Sequence, residues 1–210
     1  MNARIHSLSA AVVIAVLFLN IGCLRRADYV PIDKKSLKGS GKLYFVPLGI
    51  FPATTANDLA SFYRNKYGLQ AEILPNVPYS STAIDPRRNQ LIAERAIEMM
   101  KAANPELAKD PQVIMIGLTS RDMYIAKYDW QFSFSFRAEE KYAVVSSGRM
   151  TLPNGRQGVT QELIRTRLRK MVTKNIGMLY YHLPASNDPR SVLYRNVGGI
   201  SELDYMGEEF

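Results

Sequence analysis

The sequence predicts a single α/β (α+β) domain in which a mixed sheet packs on one long helix. Three observations carry that reading. Short apolar runs of strand type alternate with segments whose apolar residues recur at helical spacing. The longest helical pattern, Thr160 to His182, is amphipathic throughout and stands late in the chain. The composition, 47% apolar and 22% charged over 210 residues, suffices for one core, with no repeat or low-complexity tract.

The elements follow in order. Lys42 to Ile50 is an apolar run suited to a buried strand. Thr55 or Asn57 is expected to cap a helix through Leu59, Phe62, Tyr63 and Tyr67, which Gly68 stops. Leu69 to Leu74 alternates as a second strand. A polar loop with Pro75, Pro78 and Pro86 comes next. Arg88 to Ala103 is expected to be helical, with Leu91, Ile92, Ala96, Met99 and Met100 on its apolar face, ending at Asn104-Pro105. Val113 to Leu118 is a third buried strand. Gln131 to Phe136 and Tyr142 to Ser147 are two more, and Asn154-Gly155 is a turn. In the long helix Ile164, Leu168, Met171, Val172, Ile176 and Leu179 form the apolar stripe. Pro184 closes it, and an irregular tail follows.

Residues 1–23 have the layout of a secretory signal: Arg4, then an unbroken apolar run from Ala10 to Leu19, then Gly22-Cys23. The run is short for a membrane span. Cys23, the only cysteine, stands where a bacterial lipoprotein would be acylated, although Asn20 and the following Arg25 and Arg26 depart from the usual pattern. The expectation is therefore a lipid-anchored protein of the cell envelope without disulfides. Residues 24–41 read as a tether, and residues 42–210 as the folded domain. The formal charge is +8. No RNP-like strand, zinc finger or Gly-rich basic tail accompanies it, so nucleic acid is not an expected partner.

Several segments together resemble the archaemetzincins, a family of zinc peptidases. Leu43-Tyr44-Phe45-Val46-Pro47-Leu48-Gly49 resembles their opening strand, and Asp85 to Gln90 the lead-in to their second helix. Ile116-Gly117-Leu118-Thr119-Ser120-Arg121-Asp122-Met123-Tyr124 resembles their LGVTDxDLY segment. An aromatic-rich stretch and an Ala143-to-Ser146 strand follow in the family's order. The resemblance spans about Lys42 to Asp204. It implies a metzincin-like mixed sheet over an active-site helix, with an irregular C-terminal part.

Active members carry HExxHxxGxxH on that helix: two His one turn apart hold zinc, and the Glu serves as general base. The ungapped register puts Thr173 at the first His, Lys174 at the Glu, Gly177 at the second His and Leu183 at the third, with His182 one residue away. Leu193 stands for the Met-turn methionine, and Ser191 for a cysteine. The family's structural-zinc cysteines are absent.

Beyond the signal the chain has one His, His182, whereas a catalytic zinc needs about three protein ligands. Neither Thr173 nor Gly177 is a zinc ligand, and a protonated Lys174 would repel the ion. The expectation is no metal, no other cofactor and no catalytic residue. The implied function is a pseudopeptidase that binds a peptide or protein. A peptidase with atypical ligands and an unrelated structural lipoprotein are the alternatives. No G-x-S-x-G elbow or phosphate loop offers other chemistry.

Two features could serve binding. Trp130, Phe132 and Phe134 alternate with polar residues, which in a strand aligns them on one face, as core or as cleft lining. Arg165, Arg167, Arg169, Lys170 and Lys174 form a basic helix face, either solvated or, around Lys174, a place for an anion such as a peptide carboxylate or a lipid phosphate.

Overall fold

The computed structural model describes residues 31–156 and 158–210. The expected signal segment and Cys23 lie outside them. Among the described residues no helix is long and apolar enough to cross a membrane.

In chain order the elements are β1 (Lys42–Pro47), α1 (Ala53–Tyr67), β2 (Ala71–Ile73), β3 (Ile84–Asp85), β4 (Gln90–Ile92), α2 (Ala93–Ala103), α3 (Pro105–Lys109), β5 (Val113–Thr119), β6 (Met123–Tyr124), β7 (Ser135–Ala138), β8 (Tyr142–Ser146), α4 (Gln161–Leu179) and α5 (Ile200–Tyr205). The main sheet runs β2-β1-β5-β8-β7. Its first four strands are parallel and its edge strand β7 antiparallel. β3, β4 and β6 form a small second sheet.

The strands β1, β5 and β8 are buried on both faces, which is why they read as unbroken apolar runs rather than alternating ones. One face, with Phe45, Ile116 and Val145, packs on α1, α4 and the C-terminal segment. The other, with Val46, Met115 and Val144, packs on α2. The mixed sheet of the predicted fold class is therefore present.

Several boundaries differ from the sequence expectations, each for a local reason. α1 starts earlier, at Ala53 behind Pro52, so neither Thr55 nor Asn57 caps it. Its end is as expected: Gly68 sits in the left-handed region at φ 67°, and its N–H returns to the carbonyls of Tyr63 and Arg64. The expected helix from Arg88 begins only at Ala93. Asp85 instead accepts the N–H groups of Arg87 and Arg88, Asn89 turns left-handed at φ 54°, and Leu91 and Ile92 pair with β6. The C-terminal tail contains α5. The expected tether is docked over its described part: Ile32 and Leu37 pack on the core, and the Ser40 N–H donates to the Tyr180 carbonyl at 3.1 Å.

The basic face of α4 is not a solvated stripe. Arg167 is 0% exposed. Its Nε and Nη2 hold both Asp204 carboxylate oxygens at 2.7 Å, and its Nη1 donates to the carbonyls of Met150 and Leu152 at 2.6 and 2.8 Å. Lys170 donates to the carbonyls of Leu203 and Asp204. Arg169 pairs with Glu162 and Glu208. Three of the five basic residues thus tie the segment around α5 to α4. The neighbouring guanidinium holds the Asp204 carboxyl below its ordinary range. Arg167→Met strands a partly buried carboxylate and two carbonyls, so it is expected to cost about 3 kcal/mol or more. Asp204→Asn leaves the fully enclosed guanidinium without its counter-ion, so a loss of similar size is expected. Urea unfolding of both variants beside the wild type measures the two losses.

Candidate functional site

A groove of about 790 Å³ opens beside the edge strand β7, between the segment Tyr128 to Arg137, the middle of α4 and residues 195–198. β7 is at the sheet edge because no strand pairs beyond it. Its register with β8 sets which side chains reach the groove: Arg137 lies opposite Ala143 and Ser135 opposite Val145, on the α4 side, whereas Phe136 lies opposite Val144 on the α2 side.

The aromatic residues do not share one face. The regular strand starts only at Ser135, so the preceding stretch follows its own path. Phe134 enters the core, Phe132 is half-buried with the Arg149 guanidinium 4.4 Å from its ring centre, and Trp130 is 55% exposed. Trp130 stacks on Tyr128 with ring centres 4.6 Å apart. All three expected rings nevertheless border the groove.

Of the degenerate zinc positions only Gly177 and Leu193 meet. Thr173 is buried against α1, its Oγ1 3.0 Å from the Tyr63 hydroxyl, which itself donates to the Arg169 carbonyl. Burial raises the Tyr63 phenol above its usual range, so it stays a neutral donor. Gly177 faces Phe210 and Leu193: a Cβ there would lie 2.5 Å from the Phe210 ring and 2.7 Å from Leu193 Cδ2. Leu183, like His182, stands beyond the end of α4, where its N–H returns to the Gly177 carbonyl at 2.9 Å. His182 turns left-handed at φ 53°, with Nε2 3.3 Å from Ser40 Oγ.

Of these positions Lys174 alone lines the groove, beside Met171. It is 5% exposed, and its Nζ donates to the Tyr194 carbonyl. Burial, with Arg137 adding a like charge, pulls its pKa down to about 8.

The sequence reading missed Arg137, Asn175 and Arg195. Asn175 is fixed by donating to the Met171 carbonyl at 2.7 Å, which leaves its Oδ1 to accept from Arg137 at 3.1 Å. Arg137 falls in phase with Ser133 and Ser135, which marks the polar side of the stretch. No comparable pattern singles out Arg195.

The fold admits comparison with solved structures. No family model matches the sequence, and no curated protein does. The crystal structure of archaemetzincin from Archaeoglobus fulgidus, complexed with malonate, superposes with a TM-score of 0.61 at 21% identity, covering 80% of this chain and 94% of that one. Archaemetzincin from Methanopyrus kandleri gives 0.61 at 20% identity, with 80% and 89% covered. A zinc-dependent peptidase from Methanocorpusculum labreanum gives 0.63 at 17% identity, with 80% and 95% covered. The chain has an archaemetzincin-like fold.

The residues present do not fit the zinc that this fold implies. Between Leu163 and Tyr181 there is no His, Cys, Asp or Glu, so no choice of register puts a ligand on the body of α4. Among the described residues no three such side chains converge anywhere.

Lys174 makes a test of its own environment. Its folded-state pKa is depressed, to about 8 from an ordinary 10.5, so the unfolded chain binds more protons between those values. Stability from this residue therefore rises with pH across that window. Lys174→Met is expected to be more stable than the wild type at pH 7 by about 1–2 kcal/mol, the relief of the charge exceeding the lost bond to Tyr194. The difference should shrink as pH rises towards 10. Denaturant unfolding at pH 7, 8.5 and 10 checks it: a difference that does not move with pH contradicts the account.

Proposed function

We propose that this chain is a non-catalytic relative of the archaemetzincins that uses its groove to bind a peptide or protein at the cell envelope, where lipid on Cys23 anchors it. The observation that carries the reading is the body of α4. It keeps the fold's long helix beside a groove, yet it offers that groove a buried ammonium and a methionine in place of metal ligands and a carboxylate base.

The surroundings support the same reading. Thr173 is committed to Tyr63, and the space over Gly177 is filled by Phe210 and Leu193. Restoring an imidazole at position 177 would displace both. The groove itself is wide enough for a peptide segment, and it has the two ingredients of a recognition surface: exposed aromatic rings and mainly cationic charged groups.

Elemental analysis of the purified protein, prepared without chelator, tests the loss of metal. Less than about a tenth of an equivalent of zinc or another transition metal is expected, since fewer than three ligands converge. Near-stoichiometric metal, or cleavage of a casein substrate that a chelator abolishes, overturns the reading.

A further inference from the structure

The groove gathers cations that no described residue neutralises. Arg137 reaches it from β7, Lys174 from α4 and Arg195 from the segment after Leu193. Among the described residues none of the three has a carboxylate within ion-pair distance, and Asp129 is the single acid along the groove walls. Arg149, Arg167, Arg169 and Arg190, by contrast, each hold a carboxylate, and Arg88 and Lys141 each meet two backbone carbonyls.

The two inner cations are built into place rather than left over. Arg137 spends one donor on Asn175, which is itself fixed to α4. Lys174 spends one donor on the Tyr194 carbonyl. A guanidinium has five donors and an ammonium three. Most of their hydrogen-bonding capacity therefore stays unspent at a mostly buried site. Lys174 is buried and Arg137 half-buried, so the two like charges repel each other with reduced hydration, a cost that a counter-ion seated between hydrogen-bond donors offsets. The segment leading into β7 offers the stacked Tyr128 and Trp130 rings, 42% and 55% exposed, which suit an apolar or aromatic body beside the charge.

We propose that the groove binds a carboxylate carried by a peptide, held by Arg137 and Lys174 with Arg195 at the mouth, while a neighbouring apolar residue of the peptide lies on Tyr128 and Trp130. This rests on the peptide-binding reading above and names the chemistry that the groove selects. A chain-end carboxylate and an Asp or Glu side chain both supply the group.

Trp130 is the only tryptophan of the chain, so its fluorescence reports on the groove directly. The experiment titrates the full-length protein with three versions of one N-acetylated apolar peptide: with a free C-terminal carboxylate, as its C-terminal amide, and as that amide with one internal glutamate. Sodium acetate is titrated separately, with melting temperature as a second readout.

At least one acidic version is expected to bind about ten-fold or more tightly than the plain amide. Which of the two does so identifies the source of the carboxylate. Arg137→Gln and Lys174→Gln are expected to reduce that preference to less than about three-fold. Arg195→Gln, an exposed change that leaves folding intact, is expected to reduce it by a smaller factor, and so serves if an inner variant does not fold. Amide and acidic peptides binding equally overturns the carboxylate inference and leaves the peptide reading standing. Acetate shifting the wild type but not Arg137→Gln, with no peptide bound, upholds the anion site and overturns the peptide reading. Neither peptide nor acetate binding overturns both.

Discussion

The guanidinium of Arg167 is the contact on which the rest of the site depends. It is fully enclosed, and it joins three parts of the chain far apart in sequence: α4, the turn after β8 through Met150 and Leu152, and α5 through Asp204. A buried charge cannot be left half-satisfied at an acceptable cost, so all three parts must be in place together. Once they are, Lys170 donates to the carbonyls of Leu203 and Asp204, and Phe210 is carried onto Gly177. The groove is the space left between this locked lower layer and the edge of the sheet.

One helix thus sorts its basic residues into two chemical settings. Arg167, Lys170 and Arg169 meet carboxylates or carbonyls of the C-terminal segment and serve cohesion. Lys174, one turn further on from Lys170, meets a carbonyl and then open space, beside another cation from a different element. The difference lies in what packs opposite each position, and for that reason charge alone in a sequence does not separate a structural cation from a ligand-facing one.

The strands and the long helix were legible because they rest on local rules. β1, β5 and β8 are continuous apolar runs, Gly68 ends α1 in the left-handed region, and Thr160 caps α4 by accepting the Leu163 N–H. The start of the second helix was misread because Leu91 and Ile92 fit an apolar helical face as well as they fit β4, and the choice is made by pairing with β6. The aromatic stretch was misread for a similar reason: alternation predicts a shared face only once a strand exists, and regular pairing begins at Ser135. Within the site, Lys174 could be singled out from its place on α4. Arg137 shows only as part of the polar side of its stretch, and Arg195 not at all, because their meeting point is created by the edge of the sheet and the path of the chain after Leu193.

The docked segment ahead of β1 bears on how the molecule stands at a surface. Ile32 and Leu37 are seated on the core and Ser40 is tied to the end of α4. On the proposed lipidation of Cys23, nine residues of chain separate the anchor from Ile32. Fully stretched, that stretch reaches roughly 30 Å. The domain would then ride close above the bilayer on a short leash, attached next to the C-terminal end of α4.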